Sequence, residues 1–203
     1  RNTGSKFERI EIPMNNVWSH GSDVGDINGD TYDDIAIVDY GPNTTLAINN
    51  TVDNFDIYVD SRGDAGDLRF GGSAITIGDF NNDGSTEFII TDNGCQIGIV
   101  GCDNSFSTRM YGYTIDPVTD ELNFNYIQDL PLPRLDLPEY NGEIESHNVR
   151  VVSHDFNEDG VKDVIVFSRD ANWLNKVSEI QFLQNDGSGN FTDVTEDVLI
   201  GYN

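Results

Sequence analysis

The sequence predicts an all-β protein built from repeated units of four antiparallel strands. Its 203 residues contain three copies of a nine-residue pattern, Asp-x-Asn-x-Asp-x-x-x-Asp/Glu, which begin at Asp26, Asp79 and Asp155. Each copy precedes a short run of β-branched and aromatic residues, and residues 75–77 and 149–151 alternate before two of the copies. Because such runs are typical of strands, each copy is expected to be the loop of a strand-loop-strand unit.

Alternating and β-branched residues around each loop predict the other strands of each unit. The first unit is expected to have strands at 22–27, 34–39 and 55–60, and a weak fourth strand near 68–70. The second has strands at 75–80, 88–91, 109–115 and 122–127, the last two joined by a turn at 116–120. The third has strands at 149–156, 164–168, 178–184 and 191–194.

The spacing of the repeats indicates a radially repeated architecture, because the copies start 53 and 76 residues apart. Four strands per repeat match one blade of a β-propeller. The expected division of the single partial propeller 1–203 is an outer strand of a preceding blade at 1–13 and blades at 14–72, 73–145 and 146–203. Propellers have about four to eight blades, so three visible blades predict a part of a larger propeller. The alternative is an open three-blade array that a partner copy closes.

The nine-residue pattern predicts calcium binding. Alternate side chains of a tight loop point towards one centre, and oxygen atoms at positions one, three, five and nine suit a hard cation of the size of calcium. Position seven is expected to contribute its backbone carbonyl. The three predicted sites, one calcium per blade, consist of the following residues: Asp26, Asn28, Asp30, Tyr32 and Asp34; Asp79, Asn81, Asp83, Ser85 and Glu87; Asp155, Asn157, Asp159, Val161 and Asp163.

Two features distinguish these loops from each other and from EF-hands. Gly84 and Gly160 occupy position six, where a sharp turn requires a permissive backbone, whereas the first loop has Thr31 there and is expected to deviate in geometry. An EF-hand needs a bidentate glutamate at position twelve, which here is apolar in every copy: Ile37, Ile90 and Val166. The loops are therefore expected between strands and not between helices.

The loops with their flanking residues resemble the FG-GAP or VCBS repeat. The matching segments are 25–30, 78–84 and 154–160, with Asn-Asp-Gly-Ser-Gly-Asn-Phe at 185–191 near the end. The resemblance implies a propeller like that of the integrin α subunits, with one calcium on the loop between the first two strands of each blade. Departures are Thr31 for the usual glycine, Glu87 for the closing aspartate, and a Phe-Gly signature reduced to residues 70–72. The resemblance implies no single activity.

Composition restricts the classes of partner. The chain has 36 acidic and 11 basic residues, a formal net charge of −25, and no basic cluster. Because this charge repels nucleic acid and anionic lipid, neither is expected to bind. No segment approaches the roughly 20 apolar residues of a membrane helix, so direct membrane insertion is not expected. With 10% aromatic residues the chain is expected to fold.

The expected role is a calcium-stabilised extracellular module for adhesion, for recognition of a protein or glycan ligand, or for surface assembly. Its expected location is extracellular, on a cell or virion surface, where further blades of the same chain or neighbouring copies would also be partners. The alternatives are the propeller of a secreted polysaccharide lyase or phospholipase-like enzyme, and a structural component of a virion or surface layer. No residue is assigned a catalytic role, although His20 and His147 precede calcium loops and a histidine beside carboxylates could act as a general base.

Two cysteines add one open question. Cys95 and Cys102 flank six residues whose centre could form a two-residue hairpin turn, which would bring the two thiols within reach of a disulfide. The alternative is a pair of free, half-buried thiols. The spacing does not match a redox or zinc motif.

Overall fold

The protein is all-β, and in the part of the chain that the structure describes the strands form three separate antiparallel sheets of four strands each. The computed structural model describes residues 19–39, 44–51, 54–60, 72–92, 108–132, 146–170 and 178–200. In these ranges the three sheets do not join into a closed barrel. The predicted all-β class and the units of four antiparallel strands are confirmed. The predicted strand at 1–13, the strand near 68–70 and both cysteines lie outside the described residues.

The first sheet contains β1 (Ser19–Gly25), β2 (Asp34–Asp39), β3 (Thr44–Thr51) and β4 (Asn54–Asp60), in that spatial order. The sequence predicts no strand where β3 lies, and it predicts the fourth strand near 68–70. The run Thr-Thr-Leu-Ala-Ile that opens β3 is β-branched and apolar, as a strand requires, but the prediction assigned no element to it. Among the described residues, the four strands of the first sheet therefore end at Asp60.

The second sheet contains β5 (Gly72–Gly78), β6 (Glu87–Asp92), β7 (Thr108–Ile115) and β8 (Leu122–Asp129). All four match the predicted strands to within a few residues. The predicted turn between β7 and β8 is confirmed, and Asp116 Oδ1 accepts hydrogen bonds from the amides of Val118 and Thr119 at 2.7 and 3.1 Å. The Arg109 Nε to Asp129 Oδ1 ion pair at 3.0 Å joins the other ends of these two strands.

The third sheet contains β9 (Ser146–His154), β10 (Asp163–Asp170), β11 (Ser178–Asn185) and β12 (Phe191–Asp193), and the short helix α1 (Thr195–Val198) follows it. In space the order is β12-β11-β10-β9, so it has the same meander topology as the other two sheets. Within the described part of the chain, no helix is long and apolar enough to cross a membrane.

The three sheets pack face against face, with their first strands side by side. β5 contacts β1 on one side and β9 on the other. The two strands β1 and β5 approach so closely that a Cβ at Gly21 would lie 2.7 Å from Cα of Ala74, so only glycine fits there. Thr76 Oγ1 bonds both neighbours, at 2.9 Å from Asp23 Oδ2 and 3.0 Å from Ser153 Oγ.

Each interface between sheets has its own apolar core. Between the first and second sheets, Phe88 makes edge-to-face contacts with Tyr113 and Phe124 at centroid distances of 5.5 and 5.1 Å. Between the second and third sheets, Phe80 is fully buried and contacts Phe191 edge to face at 5.9 Å. These two cores fix the sheets, and thereby the loops, relative to one another.

Candidate metal centres

The three nine-residue loops connect the first and second strands of the three sheets. The first loop (26–34) joins β1 to β2, the second (79–87) joins β5 to β6, and the third (155–163) joins β9 to β10. Positions one to nine count from the first aspartate of each loop. Position nine is the first residue of the second strand, so the sheet fixes its backbone.

Position one is an aspartate whose carboxylate accepts hydrogen bonds from its own loop. In the first loop, Asp26 Oδ1 accepts from the amides of Gly29 and Asp30 at 2.7 and 3.0 Å. Asp26 Oδ2 accepts from the amide of Thr31 at 2.8 Å. The other loops repeat the bonds from positions five and six, to Asp79 from Asp83 and Gly84 at 3.1 and 3.0 Å and to Asp155 from Asp159 and Gly160 at 3.1 and 2.8 Å.

Positions three and five are connected through side chain and backbone. The amide of Asp30 donates to Asn28 Oδ1 at 3.0 Å, Asn28 Nδ2 donates to Asp30 Oδ2 at 3.0 Å, and the amide of Tyr32 donates to Asp30 Oδ1 at 2.9 Å. The same three bonds occur in the second and third loops at 2.7 to 3.0 Å. Because the oxygens of positions one and three accept from the same amide, they lie within about 6 Å of each other.

Position nine is a buried carboxylate that closes the loop. The side chains of Asp34, Glu87 and Asp163 are 0, 3 and 0% exposed. Each accepts a hydrogen bond from the amide of position two, at 2.7 Å from Ile27, 2.9 Å from Phe80 and 3.1 Å from Phe156. In the first and third sheets the other oxygen accepts from the third strand, at 2.7 Å from Asn49 N and 2.9 Å from Asn185 N.

The position-nine carboxylates lie in an environment that disfavours their charge. Burial raises the pKa of Asp34, Glu87 and Asp163, and carboxylates of positions one or five raise it further, although backbone hydrogen bonds act in the opposite direction. By contrast, hydrogen bonds from Ser85 and Asn81 lower the pKa of the exposed Asp83. A cation bound among these groups would stabilise the charged form of position nine.

The backbone has the same shape in all three loops. Positions four and six have positive φ in each: Gly29 and Thr31 at 80 and 75°, Asn82 and Gly84 at 56 and 86°, Glu158 and Gly160 at 61 and 89°. The predicted role of glycine at position six is confirmed in the second and third loops. The expectation that the first loop would deviate is wrong, because Thr31 adopts the left-handed conformation that glycine adopts elsewhere.

The donor set of each loop fits calcium. The side chains at positions one, three, five and nine offer only oxygen atoms to a cation, and carboxylate oxygens that hold one hydrogen bond keep a further lone pair. In the described ranges no three His, Cys, Asp or Glu side chains are arranged to hold a metal ion by themselves. An ion would therefore also need the amide oxygen of position three and the carbonyl oxygen of position seven, or water.

Hydrogen bonds between sheets hold the loops, and no local sequence pattern predicts them. The carbonyl of position two accepts from the third strand of the following sheet, in the first loop from Tyr113 Oη to Ile27 at 3.1 Å. In the second loop, Asn185 Nδ2 donates to the Phe80 carbonyl at 2.7 Å. Tyr113 and Asn185 occupy equivalent register positions, one residue beyond the partner of position nine.

A polar cavity of about 510 Å³ lies along the first strands of the three sheets. His20, Asp23, Arg150 and Ser153 contribute to its lining. His20 therefore lies in β1 at the cavity, away from the loop carboxylates, while the side chain of His147 is outside the described residues.

A comparison of the sequence with protein-family models finds no match, and a comparison with curated proteins also finds none.

Replacing Thr31 by glycine is predicted to stabilise the protein. Thr31 has φ of 75°, and the left-handed conformation of a residue with a Cβ costs roughly 1–2 kcal/mol. Glycine removes this cost, but part of the gain is lost because glycine increases the conformational entropy of the unfolded chain. The expected gain in the free energy of unfolding is about 0.5–1 kcal/mol, measured by urea denaturation. The control is Thr119→Gly in the β7–β8 turn, where φ is not positive and glycine should destabilise. A loss of stability in Thr31→Gly would contradict the strained conformation.

Acidification is predicted to raise the stability of the metal-free protein and to lower that of the calcium-loaded protein. For Asp34, Glu87 and Asp163 the folded pKa lies above the unfolded value near 4, so the folded state binds protons more tightly and these groups add stability as the pH falls from 7. Below about pH 4, groups with lowered pKa such as Asp83, Asp116 and Asp186 lose their contribution.

With calcium the trend reverses, because protons compete with the ion for position nine. Urea midpoints at pH 7, 6 and 5 should rise for metal-free protein and fall for protein in millimolar calcium. Asp34→Asn removes one carboxyl with a raised pKa and should make the rise of the urea midpoint smaller. Parallel trends with and without calcium would show that these carboxylates do not ligate the ion.

Proposed function

We propose that the protein is a calcium-stabilised β-propeller module of the FG-GAP or VCBS type, located outside the cell and acting in adhesion or in recognition of a protein or glycan ligand. The observation that carries this proposal is the threefold repetition of one loop. Each copy has oxygen-bearing side chains at positions one, three, five and nine, a hydrogen bond from the amide of position five to the carboxylate of position one, and the same two left-handed backbone positions. Nothing in the packing of a sheet alone requires three identical acidic loops.

Calcium is the preferred ion on chemical grounds. Each loop can provide four oxygen-bearing side chains and a carbonyl, and calcium accepts six to eight oxygen ligands in a flexible arrangement. Magnesium requires a near-ideal octahedron and keeps several of its waters, so a loop that supplies this many protein ligands suits it less well. Zinc prefers nitrogen and sulfur ligands, which the loops do not contain.

The ion would act by removing repulsion from the turn that starts each sheet. Each loop carries three carboxylates, and burial together with the carboxylates at position one or five raises the pKa of the carboxylate at position nine. Extracellular calcium modules have dissociation constants of about 10⁻⁴ to 10⁻³ M, and an ion at 100 times its constant stabilises by about 2.7 kcal/mol per site. At this affinity the sites would fill at the millimolar calcium concentrations found outside cells, as the proposed extracellular location requires.

The propeller part of the proposal rests on positions that repeat between sheets. Position two of the loop and the side chains two and four residues after position nine are covered by the following sheet in the first and second sheets. There they are at most 3% exposed: Ile27, Ala36 and Val38; Phe80, Ile89 and Thr91. In the third sheet the equivalent residues Phe156, Ile165 and Phe167 are only half-buried.

The open face of the third sheet supports a propeller with further blades. On the same face Ile180 is 41% exposed, whereas its register equivalents Thr44 and Thr108 are 2 and 1% exposed. A further sheet of the same type would cover this face, as the second and third sheets cover the faces before them. This face also favours the second candidate function, a structural component of a virion or surface layer in which neighbouring copies pack together.

The test is calorimetric titration with calcium and with magnesium, together with thermal unfolding under the same conditions. We expect three calcium ions per chain and a rise in Tm of about 5–10 °C for each saturated site, with little effect of magnesium. The double variant Asp79→Asn, Asp83→Asn should bind two ions. The control Asp120→Asn, Glu121→Gln, which changes two exposed acids outside the loops, should bind three.

Two results would contradict the proposal. An equal response to magnesium would indicate diffuse screening of the acidic surface instead of specific sites. Binding of calcium that leaves the Tm unchanged would remove the stabilising role. Incubation with a polysaccharide panel and analysis of the products tests the remaining enzyme alternative, since cleavage would exclude a purely binding role.

A further inference from the structure

Asn185 lies between the second and third calcium loops, and its side-chain nitrogen donates hydrogen bonds to both. It is the last residue of β11 and is 1% exposed. Its Nδ2 donates to the carbonyl of Phe80 at 2.7 Å and to the carbonyl of Lys162 at 3.0 Å. Its Oδ1 accepts from the amide of Gly187 at 3.2 Å, and its own amide donates to Asp163 Oδ1 at 2.9 Å.

The partners of Asn185 belong to both loops. Lys162 and Asp163 are positions eight and nine of the third loop. Phe80 is position two of the second loop, and the amide of the same residue donates to Glu87 Oε2, the closing carboxylate of that loop, at 2.9 Å. Hydrogen bonds of 2.7 to 2.9 Å thus lead from Glu87 through Phe80 and Asn185 to Asp163, the last of them donated by the backbone amide of Asn185.

The turn that follows Asn185 makes a second connection to the second loop. Asn82 Nδ2 donates to the carbonyl of Gly187 at 2.9 Å, and Asn82 is the left-handed position four of the second loop. A Cβ on Gly187 would lie 3.2 Å from the same Asn82 nitrogen, so the turn and the loop are in close contact. The first and second loops share a longer bond, from Thr86 Oγ1 to the Asp26 carbonyl at 3.4 Å.

We propose that Asn185 is a positioning residue that makes the second and third loops bind calcium cooperatively. The proposal depends on the calcium binding proposed above. When an ion orders one loop, it fixes position two or position nine, and the bonds of Asn185 then hold the matching group of the other loop in place. The second ion therefore orders less of the chain on binding, which is positive coupling between two sites.

The experiment follows the two loops separately in one molecule. With ¹⁵N-glycine labelling, the amide signals of Gly84 and Gly160 report calcium at position six of the second and third loops. In the wild type both amide signals are expected to change with the same calcium midpoint. Asp155→Asn weakens the third site, and it should raise the calcium midpoint of the Gly84 signal at least fivefold, within the usual range of allosteric couplings.

Removing the connection should remove this effect. In the Asn185→Ala background, Asp155→Asn is expected to change the Gly84 midpoint by less than twofold. Asn185→Asp keeps the size of the side chain but loses the Nδ2 donor, and it should behave in the same way. The matched control is Met110→Ala, a buried residue of the same sheet interface, which lowers stability but should leave the fivefold effect intact.

The outcomes separate this inference from the proposed function. If neither Gly84 nor Gly160 responds to calcium in a saturable way, the calcium proposal fails. If both respond, but Asp155→Asn leaves the Gly84 midpoint unchanged in the wild-type background, the coupling is absent and the inference is overturned. It is also overturned if the fivefold effect persists in Asn185→Ala or Asn185→Asp. If both Asn185 variants unfold, the Asp155→Asn comparison alone still decides whether the loops are coupled.

Discussion

The structure depends on the burial of one carboxylate at the start of the second strand of every sheet. Asp34, Glu87 and Asp163 are almost completely buried, and each bonds the amide of position two of its own loop. Burial of an ionised carboxylate beside other carboxylates is costly unless hydrogen bonds or a cation compensate. Backbone amides supply part of this compensation, and in the proposed function a calcium ion supplies the rest. The stability of the fold and the proposed ion binding thus both depend on how the charge of position nine is compensated.

The same carboxylates lie where the sheets meet, so the loops also organise the interfaces. Position two places its side chain in the core of the following interface, as Ile27 and Phe80 do, and its carbonyl accepts a bond from the third strand of the next sheet. A loop that lost its shape would therefore disturb the packing of two sheets. This gives a physical reason for the recurrence of one loop pattern with each sheet, and it connects the proposed role of calcium to the packing of neighbouring sheets.

Much of this arrangement was predictable from sequence, because the loop pattern fixes both the turn and the side chains that converge in it. The strands that directly flank the loops followed from β-branched runs, as in β6 and β10. Strand β3 was missed although the Thr-Thr-Leu-Ala-Ile run that opens it is β-branched and apolar, as a strand requires. The left-handed conformation of Glu158 had no sequence signal, since position four of the third loop is neither glycine nor asparagine. The role of Asn185 depends on contacts across 105 residues of sequence, which no local pattern encodes.

The most direct test of the central claim is anomalous X-ray diffraction from crystals grown in calcium, with data collected at a wavelength where calcium scatters anomalously. The account predicts three peaks, one in each loop, with oxygen atoms of positions one, three, five, seven and nine at about 2.3–2.6 Å from each peak. Peaks elsewhere on the acidic surface, or loops without a peak at saturating calcium, would contradict it.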